Sequence, residues 1–175
     1  MKKMIIVLVV ALLACLFSSC REERTAVFDY QDKVSRVEGS YTENGEVREL
    51  VLYFKSTEEG NSCRRVDYSA PSSLAGMSFT LEGDRITAQY GDMRIDGTCF
   101  DGEDVFSASR LFTLREEDIL EIRGGEGDTT VVTGESGEGT WEAVTDKDGL
   151  PMQLTLRDSR GVCSLEVKEI VLFEE

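Results

Sequence analysis

Residues 34–55, VSRVEGSYTENGEVRELVLYFK, decide the fold. Val34 to Tyr41 and Val47 to Lys55 read as strands on either side of Thr42-Glu43-Asn44-Gly45-Glu46. Asn-Gly is the strongest short hairpin signal, because both residues tolerate the positive φ that a tight turn between twisted strands requires. Leu50, Leu52 and Phe54 share one face of the second strand, and Val51 and Tyr53 share the other. A strand apolar on both faces is expected to be covered on both, or to border a cavity.

The same rhythm runs outward from this hairpin. Cys63 to Ser69 reads as a third strand, ended by Ala70-Pro71-Ser72-Ser73-Leu74-Ala75-Gly76, since proline cannot donate to a ladder. Met77, Phe79 and Leu81 alternate with polar residues. Gly83-Asp84 turns the chain into Ile86, Ala88 and Tyr90, and Gly91-Asp92 turns it into Met93 and Ile95. Residues 103–116 break the pattern. Val105, Phe106, Leu111, Phe112 and Leu114 recur at helical spacing, which predicts one short helix over Ser107 to Arg115. The β pattern resumes at Ile119 to Ile122 and continues through Val131-Val132, Thr140 to Thr145, Pro151 to Leu156 and Val162 to Phe173. In the last stretch Cys163, Leu165 and Val167 hold one parity and Ile170 and Leu172 the other. That change predicts a bulge near Lys168 or Glu169 and a bend in the sheet. The fold expected is mainly β: nine or ten short strands in one strongly curved antiparallel sheet or partly open barrel, with one short helical lid.

The first residues do not belong to that pattern. Lys2 and Lys3 precede an uncharged run from Met4 to Phe17, then Ser18, Ser19 and Cys20, then Arg21-Glu22-Glu23-Arg24. A basic start, a short apolar run and small residues before a cut form the layout of an export signal. The run is too short for a span of about 20 apolar residues. Phe17-Ser18-Ser19-Cys20 resembles a bacterial lipobox, in which the cysteine thiol is acylated before cleavage. Leu12-Leu13-Ala14-Cys15 is a rival, but cutting there leaves Leu16 and Phe17 exposed in the tether. The expected organisation is a signal peptide over 1–19, a lipidated tether over 20–27 and a β domain over 28–175. The expected place is the cell envelope, lipid-anchored on the extracytoplasmic side of a bacterial membrane. Stable anchoring needs more than one acyl chain, such as palmitate, and a lipoprotein cysteine carries two or three.

Composition excludes several classes of function. Cleavage removes two lysines and no acid, so the formal charge falls from −15 to −17. Such a surface repels phosphate backbones and anionic headgroups, which argues against nucleic acid and leaves membrane attachment to the lipid. The chain has no histidine, so Ser-His-Asp and Cys-His catalysis and the usual zinc ligands are absent. Gly124-Gly125-Glu126-Gly127-Asp128 is acidic where a phosphate loop needs Lys and Ser or Thr. Asp146-Lys147-Asp148-Gly149 starts like a calcium loop, but Leu150-Pro151-Met152 breaks the frame, and a turn is the better reading. No enzyme, metal or cofactor is expected. Cys63, Cys99 and Cys163 remain in the processed domain, so at most one intrachain pair can form. Their alternative is to serve as small buried apolar side chains.

The order of these features resembles the LolA/LolB-like lipoprotein-carrier superfamily, and within it the uncharacterised lipid-anchored members of gut Firmicutes. The resemblance is carried by the lipobox, the run of strands, the mid-chain helical insert, and Trp141 to Phe173 with its turns at Gly149-Leu150-Pro151 and Asp158-Ser159-Arg160-Gly161. Ser69 to Gly76 also looks like a segment of those relatives. The resemblance implies a half-barrel with a helical lid over an apolar concavity, used in relatives for acyl chains or lipoprotein lipids, or for sensing them. This chain departs from it in having a single short lid segment and no long amphipathic helix before the first strand, which points to a smaller or filled concavity.

Two functions follow as expectations. One is a membrane-anchored binder of a lipid or other hydrophobic ligand, with Leu52, Phe54, Phe79, Ile86, Phe112, Trp141 and Leu154 lining the cavity. The other is a surface-displayed protein-interaction or envelope-sensor domain without a small ligand, which predicts a filled interior and an exposed apolar patch or free sheet edge.

Overall fold

Asn44 and Gly45 both adopt positive φ, at 51° and 85°, and form the tight turn between β1 (Val34–Glu43) and β2 (Glu46–Thr57). The computed structural model describes residues 30–57, 60–97, 102–137 and 139–173. The segments expected to be a signal peptide and a tether, with Cys15, Cys20 and Cys99, lie outside them. After β2 come β3 (Gly60–Ala70), β4 (Met77–Glu82), β5 (Arg85–Tyr90) and β6 (Met93–Gly97). A four-residue helix, α1 (Gly102–Val105), and two 3₁₀ turns, Ser107–Phe112 and Glu116–Asp118, then lead to β7 (Ile119–Gly124). The chain continues through β8 (Thr130–Ser136), β9 (Gly139–Thr145), β10 (Pro151–Asp158) and β11 (Gly161–Leu172).

The eleven described strands form one antiparallel sheet in the order β6-β5-β4-β3-β2-β1-β11-β10-β9-β8-β7. The first and last strands therefore meet at its centre. The two edges, β6 and β7, are consecutive in sequence, and residues 98–118, described from 102 onward, join them. The fold class expected from the sequence is the one observed, with eleven strands instead of nine or ten. The lid falls where the apolar spacing placed it, but it is mostly 3₁₀ and not α.

Parity along each strand fixes which face is apolar. Val37 and Tyr41 of β1, Leu50 and Leu52 of β2, Val66 of β3, and Leu154 of β10 are all at most 1% exposed. The bulge sits where the parity change placed it: Glu38 opposes Glu169 while Gly39 opposes Val167, so Lys168 is the extra residue. The inserted residue keeps Cys163, Leu165, Val167, Ile170 and Leu172 on the inner face. Lys168 points its ammonium at Glu49 on the outer side, and that pairing holds the Glu49 carboxyl below its usual range. Expectation and structure part at Val51 and Tyr53, which are only half-buried. Among the described residues no second layer covers the outer face of the sheet, and Tyr53 instead lies under the Arg65 guanidinium at 5.5 Å.

The crossover runs over the inner face. Tyr68 Oη of β3 donates to the Val105 carbonyl at 2.9 Å. Phe112 packs against Phe54 of β2 with ring centroids 5.1 Å apart. The 3₁₀ turn packs on β10 and β11, and Arg110 Nη2 meets Asp158 Oδ2 at the end of β10 at 2.5 Å. Leu111 is fully buried, and Phe106, Ala108, Phe112 and Leu114 join the same core cluster. Each of these leucine and phenylalanine side chains contributes about 1.5–3 kcal/mol by leaving water. The inner face of the half-barrel is thus filled along its middle by the chain's own crossover. One glycine is demanded by this packing. Gly134 of β8 opposes Trp141 of β9, and a Cβ there would come within 2.1 Å of the indole.

Candidate functional site

Among the described residues, none of the crossover lines the groove at the β5–β6 edge, and that groove is the candidate site. Directly opposed residues of antiparallel strands share a face. Phe79, Ala88 and Ile95 form one row across β4, β5 and β6, and Met77, Tyr90 and Met93 form the next. Phe79 and Ala88 are buried, which assigns both rows to the inner face. Tyr90, Met93 and Ile95 are nevertheless 52%, 64% and 56% exposed. They floor an open groove of about 510 Å³ together with Met77 and Ala88, and Ser72, Ser73, Gln89 and Arg94 also border it.

The loop after β3 forms one wall. Pro71 O accepts from the N–H groups of Leu74 and Ala75, and Gly76 N donates to Tyr68 O, all at 2.9 Å. Met77 N donates to Leu74 O at the same distance. The wall is therefore a fixed turn built on the end of β3. On its other side lies a second open groove of about 570 Å³, which shares Ser73 and is lined by Val47, Pro71, Leu74, Phe79 and Val105. Its charged rim carries Glu46, Arg48 and Asp104. Arg48 lies 3.5 Å from Glu43 and 3.3 Å from Glu46. Burial raises the Tyr68 phenol, which stays a neutral donor at the base of this groove.

The seven residues expected to line a cavity come together in one contiguous cluster. Leu52 and Leu154 are fully buried, Trp141, Phe79, Ile86 and Phe112 nearly so, and Phe54 packs against them partly buried. Phe79 also lines the second groove. The other six lie within the packed cluster and line neither groove. Sequence reasoning missed Met77, Tyr90, Met93 and Ile95 as a group. Each was legible as an inward strand position, but nothing in the sequence says that β6 ends the sheet and stays uncovered.

Other motifs resolve into structural roles. Asp146 Oδ1 accepts from the backbone N–H groups of Asp148 and Leu150, both at 2.9 Å, so the Asp-Lys-Asp-Gly stretch is a side-chain-capped turn. Cys63 and Cys163 are free and buried. Burial pushes the Cys63 thiol up to about 12 and raises that of Cys163, so both behave as apolar filler at neutral pH. Among the described residues no cluster could hold a metal ion, and no helix is long and apolar enough to cross a membrane.

An open antiparallel half-barrel with an apolar groove at one edge defines the class of the molecule. Among solved structures, the chain is similar to a LolA superfamily protein from Nitrosomonas europaea at 9% identity and TM-score 0.37, covering 87% of this chain and 91% of that one. It is similar to the lipoprotein LppX of Mycobacterium tuberculosis at 11% identity and TM-score 0.44, covering 83% and 91%. It is also similar to an uncharacterized conserved protein from Thermus thermophilus at 17% identity and TM-score 0.47, covering 90% and 89%. These likenesses concern the outline of the fold. No family model matches the chain, and no curated protein is significantly similar to it in sequence.

Proposed function

We propose that the protein is a bacterial envelope lipoprotein, held by lipid on Cys20, that takes a hydrophobic ligand such as an acyl chain into the groove floored by Met77, Ala88, Tyr90, Met93 and Ile95. The observation that carries the ligand reading is the row of large apolar side chains on the inner face that the crossover leaves in solvent. Their groove has the size of a small-molecule site, with an apolar floor and few polar groups bordering it. The anchor rests on the lipobox and on a domain too acidic to adhere to anionic lipid by itself.

Two experiments test this. Cys20→Ser in the full chain is expected to release the protein from the membrane fraction. Retention of that variant on membranes with normal processing would sink the anchor. For the groove, palmitate is the probe. Met93→Glu places a charge on the apolar floor and is expected to weaken palmitate binding on the order of tenfold or more. Absence of palmitate binding in the unsubstituted chain, or equal binding by Met93→Glu, would remove the ligand reading.

The second reading is a protein-interaction or envelope-sensor domain. It draws support from the filled middle of the concavity and from β6, which ends the sheet. A reproducible protein partner with no copurified lipid, in material from native membranes, would favour it.

A further inference from the structure

The turn at Gly91-Asp92 determines which backbone groups β6 offers to solvent. Gly91 has φ 56° and the loop has two residues, so Tyr90 and Met93, which flank it, form a hydrogen-bonded pair. Bonding alternates from there. Met93 and Ile95 turn their N–H and C=O groups toward β5, and Arg94 and Asp96 turn theirs to the open edge. The side chains of Arg94 and Asp96 lie together on the outer face, Nε to Oδ1 at 2.9 Å, and Thr87 Oγ1 donates to the same Asp96 oxygen at 2.8 Å. Met93 and Ile95 lie exposed on the inner face.

We propose that β6 is a homodimerisation edge, pairing antiparallel with β6 of a second copy about a two-fold axis at Ile95. That axis maps Met93–Gly97 onto itself, so all five residues of the strand pair. It places Arg94 opposite Asp96 of the second copy, and Asp96 opposite its Arg94. These are the residues whose backbone groups face outward, so both cross-pairs are hydrogen-bonded pairs. The two intrastrand ion pairs become a square of alternating sign. Other axes fare worse. Centring on Arg94 opposes Arg94 to itself and Asp96 to Asp92, and centring on Asp96 opposes that acid to itself; like charges directly opposite destabilise a sheet. Centring on Met93 opposes Arg94 to Asp92, but Asp92 lies in the turn and only the start of the strand pairs. On the inner face the Ile95 axis brings the two Ile95 side chains together, covering part of the apolar patch. It joins the two grooves across the seam, so each copy supplies the missing outer wall of the other. The self-complementary strand makes the contact isologous and closed. The dimer does not depend on the ligand proposed above.

Cross-linking in the full chain, purified in mild detergent, tests the register. Ile95 pairs with itself at a non-hydrogen-bonded position, where Cα atoms lie about 4.5 Å apart, within reach of a disulfide. Ile95→Cys is expected to give a disulfide dimer on mild oxidation. Leu120→Cys, on β7 at the opposite edge and 69% exposed, is expected not to. In the Ile95→Cys background, Arg94→Asp or Asp96→Arg alone is expected to cut dimer yield on the order of tenfold or more, because both cross-pairs become like-charged. The two reversals together restore opposite charges and are expected to restore the dimer. Sedimentation of the unsubstituted chain should show a dimer that dissociates on dilution. The proposal falls if Ile95→Cys cross-links no better than Leu120→Cys. It also falls if single reversals leave the yield unchanged, or if the double reversal fails to recover it.

Discussion

Leu111→Ala is expected to cost about 2–5 kcal/mol of folding stability. Leu111 is fully buried at the middle of the crossover. The surrounding cluster draws on both arms of the sheet, with Leu50 and Leu52 on one side and Leu154 and Leu165 on the other. Removing its isopropyl group withdraws the transfer energy of three carbons and leaves a void between two arms that are each fixed by ladder hydrogen bonds and cannot close over it. Urea unfolding followed by far-UV circular dichroism would show a lower midpoint at unchanged slope. A loss below about 1 kcal/mol would mean that the crossover rides loosely on the sheet as a movable lid, since a side chain that contributes to the core cannot be removed so cheaply.

Arg110→Met ranks next, at about 3 kcal/mol. The guanidinium reaches Asp158, whose side chain is only 8% exposed, across 2.5 Å. Losing the cation leaves a carboxylate in a nearly closed site. The loss is held to the low end of the range for broken buried pairs because Arg160 remains, with its backbone N–H donating to Asp158 Oδ1 at 2.8 Å and its Nε 3.4 Å from Oδ2. Adding Asp158→Asn to Arg110→Met removes the stranded charge while keeping an acceptor for the Arg160 N–H. The double variant is therefore expected to recover part of the stability in the same unfolding measurement. Equal stability of the single and double variants would show that the ion pair contributes only through packing.

The sequence foretold strands and turns well because each is a local property. Asn44-Gly45 turns because two adjacent residues accept positive φ, and the Lys168 bulge follows from a change of parity readable within one strand. The lid's position was equally local, but its 3₁₀ form was not. Ser107, Ala108, Leu111 and Phe112 are all buried, and apolar residues three or four apart suit a 3₁₀ turn as well as an α-helix, so the spacing does not choose between them. The site was the least legible part. Trp141, Leu52 and Leu154 have the apolar character of cavity residues, yet the crossover packs over them. Tyr90 and Met93 border an ordinary turn, yet they lie open because their strand ends the sheet. Burial depends on which strand lies beside which, and strand order is set by β1 meeting β11, a pairing between residues such as Val37 and Ile170.

That central pairing also governs how the molecule is made. During vectorial synthesis β1 emerges early and waits through most of the chain for its second neighbour, with one flank of its backbone unsatisfied. Six strands can zip up in succession as a nascent meander, but the sheet closes only when the final strand arrives. A messenger truncated before Gly161 would therefore release a product with two sticky borders in its middle, β1 and β10. Its aggregation would be the cellular cost of a missing C-terminal strand.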